Sequence, residues 1–262
     1  MPIVTLLSDF GRADTYVGQM KGAILAVCPT ASLVDLTHDV PAQDVRRGAF
    51  SLWAAVVPFS PATIHLAVVD PGVGSARKGI AVRSARGDLL IGPDNGILVP
   101  ALERLGGIAF AVELTNPQFW RQEVSRTFHG RDVFAPVAGH LARGAALGAM
   151  GPPISNLSSP FRFPVPARDG RAIAGEVVHV DGFGTLVSSI PEELLPPRFE
   201  VKLDSHRIVG ARDAIYQSAP PGGLIALVGS LGLLEIAARN GSASAALGVS
   251  VGHPLSVEAA PS

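Results

Sequence analysis

The sequence has little cysteine and no excess of charge of either sign. Cys28 is its only cysteine among 262 residues, so no disulfide can form within the chain, which favours a reducing compartment. Lys and Arg (21) nearly balance Asp and Glu (22), and no basic block stands out. Nucleic acids and anionic membranes attract proteins through such blocks. We therefore expect neither nucleic acid nor a membrane as a partner.

Long apolar runs are also missing. The opening "MPIVTLLSDFG" has no basic residues ahead of its apolar run, which stops at Ser8. No later segment reaches the roughly 18 apolar residues of a membrane span. These features predict a chain that is not exported and that works in the cytoplasm. Hydrophobic residues nevertheless make up 47% of the sequence, enough for one large domain or two ordinary ones.

Short apolar runs alternate with helical patterns in the first half of the chain. Strands are predicted at 3–7, 32–36, 63–69 and 88–92, and helices at 15–27, 43–57, 96–106 and 132–144. Such alternation implies right-handed crossovers and a mainly parallel sheet with helices on both faces. Residues 1–152 are therefore predicted to form an α/β domain.

Proline changes the pattern after this point. Prolines 152, 153, 160, 164 and 166 exclude a continuous helix or central strand, so 153–168 is interpreted as a linker. Short alternating segments separated by Gly and Pro turns follow in 169–262, which predicts a smaller β-barrel-like domain. One short helix is predicted within it, at 233–241.

Polar residues stand where four predicted strands end. Asp9 follows the first strand, Asp39 the second, Asp70 the third and Asp94 the fourth. The carboxyl ends of parallel strands open onto one edge of a sheet, where ligands bind, so we expect these carboxylates to converge. The alternative is structural, since turns and helix N-caps use the same residue types.

The loop "DPGVGSARKG" after the third strand is glycine-rich without being a phosphate loop. It matches neither G-x-x-x-x-G-K-[ST] nor G-x-G-x-x-G, and an aspartate ahead of it would repel phosphate. We interpret it as presenting Asp70 and Arg77 to each other or to a small neutral or cationic group. His129 in "TFHGRD" joins them as a candidate. The other histidines lack metal-ligand spacing and are interpreted as structural.

Seven motifs resemble the adenosine-forming S-adenosylmethionine hydrolases, also called S-adenosylmethionine hydroxide adenosyltransferases, which are relatives of the fluorinating and chlorinating nucleoside enzymes. In order along nearly the whole chain they are "SDFGRADTYVGQMKG", "DLTHDVPAQDVRRGA", "VVDPGVG", "GPDNG", "TFHGRDVFAPVAGHLA", "VDGFGT" and "GSLGLLEIA". The resemblance implies an α/β domain followed by a β-rich domain, a homotrimer, and ligand held at subunit interfaces. It implies no metal and no cofactor, with S-adenosylmethionine as the substrate.

The resemblance also implies roles for individual residues. The set that handles the attacking water falls on Asp70, Arg77 and His129. Substrate-binding roles fall on Asp9 for ribose, on Asp14, Asp181 and Ser230 for methionine, and on Phe183, Thr185 and Tyr216 for adenine. The sequence departs from the family pattern at Thr185, where many relatives have asparagine, at Leu231, where the halogenating relatives place arginine, and at Arg239, which replaces a common asparagine. These departures concern adenine and carboxylate recognition.

The implied reaction is hydrolysis of S-adenosylmethionine to adenosine and methionine. Attack at the ribose 5′-carbon expels a neutral thioether, so the leaving group needs no general acid. The difficulty is the nucleophile, because bulk water has a pKa of about 15.7. Arg77 and His129 can stabilise a developing hydroxide, and Asp70 can orient both. Two other classes remain open: a metal-dependent hydrolase that uses Asp9, Asp39, Asp94 and His129, and a non-catalytic S-adenosylmethionine-binding module.

Overall fold

Two compact units make up the computed structural model, which describes residues 1–260. The first unit spans Met1–Arg162 and the second begins at Phe163. The division lies within the segment predicted as a linker, 153–168. The predicted domain limits and the share of the site that each domain supplies stay predictions. Within residues 1–260, every helix is too short or too polar to cross a membrane.

The first unit is built on a six-stranded sheet with the order β2-β1-β3-β5-β4-β6. Its strands are β1 (Ile3–Ser8), β2 (Ser32–Thr37), β3 (Ile64–Val68), β4 (Gly79–Ser84), β5 (Leu89–Pro93) and β6 (Ile108–Glu113). The first four in this order pair in parallel, and β4 pairs antiparallel with both of its neighbours. The predicted mainly parallel sheet is confirmed.

Helices cover the sheet in two separate pairs. They are α1 (Tyr16–Val27), α2 (Val45–Ala55), α3 (Val99–Arg104) and α4 (Ala135–Ala142). Helices α1 and α4 pack on one another and share a buried cluster with Val4 and Leu6 of β1. Helix α2 packs on α3 and also contacts β1, but it contributes nothing to that cluster. Because successive strand residues point to opposite faces, the two pairs lie on opposite sides of the sheet.

Strands β4 and β6 were not predicted from the sequence. Strand β4 is joined to β5 without an intervening helix, so the β-α alternation used to find the other strands misses it. Strand β6 lies at the sheet edge, and its first three residues are exposed. An edge strand of this kind lacks the continuous apolar run of a central parallel strand.

The second unit is a closed barrel of seven strands with one added edge strand. Its strands are β7 (Ala167–Asp169), β8 (Ala172–Val180), β9 (Leu186–Pro191), β10 (Arg198–Leu203), β11 (His206–Ala211), β12 (Leu224–Val228), β13 (Leu233–Ala238) and β14 (Pro254–Ala259). Pairing of β14 with β8 closes the barrel, and β7 adds to β8. The interior is filled by apolar side chains that include Phe199, Leu234 and Ile236. The predicted β-barrel-like fold is confirmed.

The helix predicted at 233–241 is wrong. Residues 233–238 form β13, which pairs antiparallel with β12 and β9. Leu234 and Ile236 point into the barrel core, whereas Glu235 and Ala237 lie on its outer side. Good helix formers thus adopt a strand because pairing on both edges and burial of alternate side chains override local propensity. The short helix of this region is α5 (Ala243–Leu247), which begins after Ser242.

Candidate active site

Three side chains form one hydrogen-bonded cluster beyond the end of β3. The Arg77 guanidinium donates from Nε to Asp70 Oδ1 at 2.9 Å and from Nη2 to Asp70 Oδ2. The same Nη2 lies 2.9 Å from His129 Nδ1. The side chains of Asp70 and Arg77 are 6% and 13% exposed, so water screens this ion pair only weakly. The structure therefore brings together the three residues that the sequence singled out.

Arg77 determines which form of His129 is present. A guanidinium has only donors, so His129 Nδ1 must accept, and the remaining proton lies on Nε2. Burial and the charge of Arg77 lower the pKa of His129, while the carboxylates of Asp70 and Asp132 oppose this shift. The ring is therefore neutral at physiological pH, and its Nε2–H group is available as a hydrogen-bond donor.

A tight glycine turn returns Arg77 to Asp70. The N–H of Val73 donates to the Asp70 carbonyl, and that of Ser75 donates to the Gly72 carbonyl. Gly74 has φ +76°, and a Cβ there would lie 2.3 Å from the carbonyl oxygen of Arg126. Only glycine allows both the left-handed backbone and this close approach. The turn thus packs directly on the segment that leads to His129.

Asp132 anchors the segment that carries His129. This carboxylate is fully buried and accepts hydrogen bonds from Arg121, from Arg131 and from the N–H of Ser125. Burial alone would raise the pKa of Asp132, but the bonds from Arg131 and Ser125 and the nearby positive charges lower it. Sequence reasoning did not single out Asp132, although it belongs to the same "TFHGRD" motif as His129.

The cluster opens into a cleft of about 370 Å³. Asp9 lines the cleft, and its Oδ2 accepts the N–H of Gln43 at 2.8 Å. Phe10, Tyr16 and Phe128 form another wall and contact one another at ring-centroid distances of 5.4–5.8 Å. Asp9 can therefore accept hydrogen bonds beside a broad apolar surface. Sequence reasoning missed Gln43 and this aromatic wall, because neither follows from strand ends alone.

Other predicted residues of this unit do not line the cleft. Asp14 lines a separate depression of about 470 Å³ that it shares with Asp35 and His38. Asp39 forms an exposed ion pair with Arg12, and Asp94 accepts the N–H of Ser158. Convergence of all four strand-end aspartates was therefore wrong for Asp39 and Asp94, which do not line the cleft and are bound by Arg12 and Ser158.

The proposed metal ligands do not form a cluster. Among residues 1–260, no three His, Cys, Asp or Glu side chains are grouped so as to hold a metal ion. Asp9 and His129 share the cleft, whereas Asp39 and Asp94 do not line it. The geometry of these four residues gives the metal-dependent alternative no support.

The second unit carries a cavity of about 630 Å³ on the outer side of its barrel. Asp181, Phe183, Thr185 and Tyr216 all line it, together with Arg239. Asp181 Oδ1 accepts the N–H groups of Phe183 and Thr185, which fixes the loop between β8 and β9. Phe183 is 84% exposed, an unusual state for a large apolar side chain.

Ser230 and Leu231 lie apart from the lining of this cavity, in the turn between β12 and β13. Ser230 is exposed. Arg239 donates to the carbonyl oxygen of Ala219 at 2.9 Å, so it holds the segment next to Tyr216. The substrate-binding roles inferred for these residues stay predictions.

Tyr216 has a partner that sequence reasoning missed. Its hydroxyl donates to Oε2 of Glu235 at 3.0 Å. Burial and the neighbouring Glu235 raise the pKa of Tyr216 to about 12, and burial raises the pKa of Glu235. Glu235 lies in the segment that was predicted as a helix. A glutamate in such a helix would ordinarily be exposed, so nothing in the sequence singled it out.

The fold and the two sites define a class: a two-domain protein that combines an α/β unit, with a polar cleft at its strand ends, and a small β-barrel. Residues 4–151 match the model of the SAM hydroxide adenosyltransferase N-terminal domain, and residues 175–256 match that of the C-terminal domain. The chain belongs to the SAM hydroxide adenosyltransferase family.

Individual proteins show the same relationship. The chain is 45% identical to the (R)-S-adenosyl-L-methionine hydrolase of Salinispora arenicola, over 98% of both chains. It is 29% identical to the fluorinase of an Actinoplanes species, over 72% of each. A crystal structure of an uncharacterized conserved protein from Thermotoga maritima superposes with a TM-score of 0.91 at 32% identity, covering 97% of this chain and 99% of that one.

Proposed function

We propose that the protein hydrolyses S-adenosyl-L-methionine to adenosine and L-methionine. The observation that carries this proposal is the Asp70–Arg77–His129 cluster, of which Asp70 and His129 line the cleft. Family membership supplies the substrate class, since the relative from Salinispora is named for the (R) sulfonium epimer.

The cluster suits activation of water. The Nε2–H group of His129 and the Arg77 guanidinium donate to the attacking oxygen and stabilise the negative charge that develops on it. Asp70 Oδ1 accepts one bond from Arg77 and keeps a lone pair free for the proton of that water. The new O–C5′ bond forms as the C5′–S bond breaks, and the bonding pair leaves on a neutral thioether. No protonation of the leaving group is required.

The remaining predicted residues would bind the rest of the substrate. Asp9 can accept hydrogen bonds from the ribose hydroxyls, as acidic residues at strand ends do in nucleotide folds. The exposed ring of Phe183 and the half-exposed ring of Tyr216 offer flat apolar surfaces to adenine, with Thr185 beside them. Asp181 offers negative charge to the methionine ammonium, and Asp14 and Ser230 are proposed to serve the same moiety.

Hydrolysis is proposed to need neither metal nor cofactor. Purified protein should be treated with a chelator and incubated with the separate (R) and (S) sulfonium epimers, and adenosine and methionine should be quantified by chromatography. Equimolar adenosine and methionine from the (R) epimer are expected. Loss of activity to the chelator would instead favour the metal-dependent alternative, and binding without turnover would favour the non-catalytic module.

We also propose that the chain forms a homotrimer and works in the cytoplasm. The trimer is what the family resemblance implies, and large exposed apolar side chains such as Phe183 and Ile215 are typical of surfaces that a partner covers. The buried free thiol of Cys28 suits a reducing compartment. Light scattering coupled to gel filtration tests the trimer, and a fully active monomer would contradict it.

A further inference from the structure

Glu235 is a buried carboxyl with no role in the site described so far. It is 8% exposed and lies on the outer side of β13, opposite the core residues Leu234 and Ile236. Burying a carboxyl is unfavourable unless it is well paired, and apolar side chains stabilise such a position as well or better. Its contacts therefore indicate what it does.

The first contact is with Tyr216. The Tyr216 hydroxyl donates to Glu235 Oε2, while 51% of the tyrosine remains exposed and lines the cavity. One end of the ring is thus fixed, and its faces stay available to a planar ligand. A tyrosine side chain without this hydrogen bond would lose rotamer freedom when the ligand binds, which would lower the affinity.

The second contact is with the turn that carries Ser230. A Cβ on Gly229 would lie 1.8 Å from Glu235 Oε1 and 2.1 Å from its Cδ, so the carboxyl occupies the place of a side chain. Backbone bonds from Gly229 to Leu233 and from Gly232 to Gly229 close this turn. Glu235 therefore packs against the backbone at the residue before Ser230.

The third neighbour is Asp181, on the loop between β8 and β9. Its charge adds to the rise in the pKa of Glu235 and of Tyr216, so it lies within electrostatic range of both. Glu235 thus contacts two of the segments that carry predicted substrate residues, at 216 and 230, and lies near the third, at 181.

We propose that Glu235 is a positioning residue that holds the Tyr216 ring and the Ser230 turn ready for the adenosyl and methionine parts of the substrate. The inference rests on the proposed function. Glu235 acts through these neighbours, and its effect is on affinity rather than on the chemical step.

Three substitutions test this with two readouts, the KM for (R)-S-adenosylmethionine and the Kd for adenosine by calorimetry. Tyr216→Phe removes only the hydroxyl and should raise both constants about threefold to tenfold, since the ring must be immobilised on binding, with kcat within about twofold. Gly229→Ala displaces the mobile end of Glu235 and should have a similar effect. Glu235→Gln keeps an acceptor oxygen in the same volume and should leave KM and Kd near the wild-type values.

The double variant Tyr216→Phe/Gly229→Ala separates positioning from general destabilisation. Both changes break the hydrogen bond between Tyr216 and Glu235. The double variant should therefore bind no more weakly than the weaker-binding single variant. Glu258→Gln is the matched control, because this carboxylate pairs with Lys202 elsewhere on the barrel and should leave both constants unchanged. Misfolding would lower the active fraction and kcat without this change in KM.

Unchanged constants in Tyr216→Phe, or multiplied effects in the double variant, would overturn the role of Glu235. The adenosine Kd does not depend on turnover. A wild-type protein that binds adenosine in the expected order of variants but releases no adenosine from (R)-S-adenosylmethionine would sink the proposed hydrolysis and leave the positioning role standing.

Discussion

Replacing Asp70 by asparagine tests the central ion pair with little change of shape. Asp70 accepts from two nitrogens of Arg77, and a hydrogen bond to a charged group contributes about 1.5–3 kcal/mol. Asparagine keeps one acceptor oxygen, so we expect a loss of about 3 kcal/mol from the transition state, or roughly 10²-fold in kcat at about 1.4 kcal/mol per tenfold. The amide also cannot take the proton of the attacking water.

The assay is adenosine release from (R)-S-adenosylmethionine, compared with Asp39→Asn as the control. Asp39 makes the same type of ion pair after β2 of the same sheet, but its partner Arg12 is exposed and the pair lies outside the cleft. Its replacement should change kcat less than twofold, because exposed pairs contribute little.

The pH dependence of Asp70→Asn provides a second check. The Asp70 charge raises the pKa of His129, so removing it lowers that pKa further and keeps the ring neutral. The lost turnover therefore cannot come from a protonated His129, and the acid limb of the pH profile should not move to higher pH. Asp70→Asn with more than a third of wild-type kcat, or an acid limb shifted to higher pH, would refute this reasoning.

Three further predictions concern other groups. Turnover needs neutral His129, and the pKa of this residue is lowered from 6.5, so the midpoint of the acid limb of kcat/KM should lie below pH 6.5. A midpoint at or above pH 6.5 would contradict the neutral form assigned to His129. The negative charge of Asp70 repels halide and Gly130 has no hydroxyl to donate, so ¹⁸O-labelled water with excess fluoride or chloride should give only labelled adenosine; a 5′-halo-5′-deoxyadenosine product would show the pocket misread. Burial lowers the pKa of His65 to about 4, so the unfolded state binds its proton first as the pH falls. Stability should drop by about 3 kcal/mol between pH 6.5 and 4, measured by urea unfolding, and His65→Gln should lose that dependence.

The sequence was most informative where one local pattern determines one element. Strand β1 and helix α1 follow from periodicity, and the cluster of Asp70, Arg77 and His129 was found from one loop, one motif and the family resemblance. The resemblance also supplied the second-domain residues, four of which line one cavity in the structure. Physical reasoning on periodicity alone would not have selected them.

The errors have a common physical cause. Residues 233–238 have good helix formers, and only pairing with β12 and β9 makes them a strand. Asp39 and Asp94 stand at strand ends as expected, but they bind Arg12 and Ser158 and do not line the cleft. Asp132 and Glu235 matter through side-chain contacts, with Arg121 and Tyr216 among others, that hydrophobic periodicity does not reveal. Such contacts arise from tertiary packing, which a pattern read along the chain does not contain.

The contact between Gly74 and the Arg126 carbonyl has a mechanical consequence. A contact between side chains can be relieved when one of them changes rotamer, but here two stretches of backbone touch and neither has an atom that can turn aside. The Asp70 turn cannot move toward the His129 segment without displacing that segment as well. Because Arg77 also hydrogen-bonds across the same junction, backbone packing and side-chain bonds together resist any change in the distances among the three polar groups.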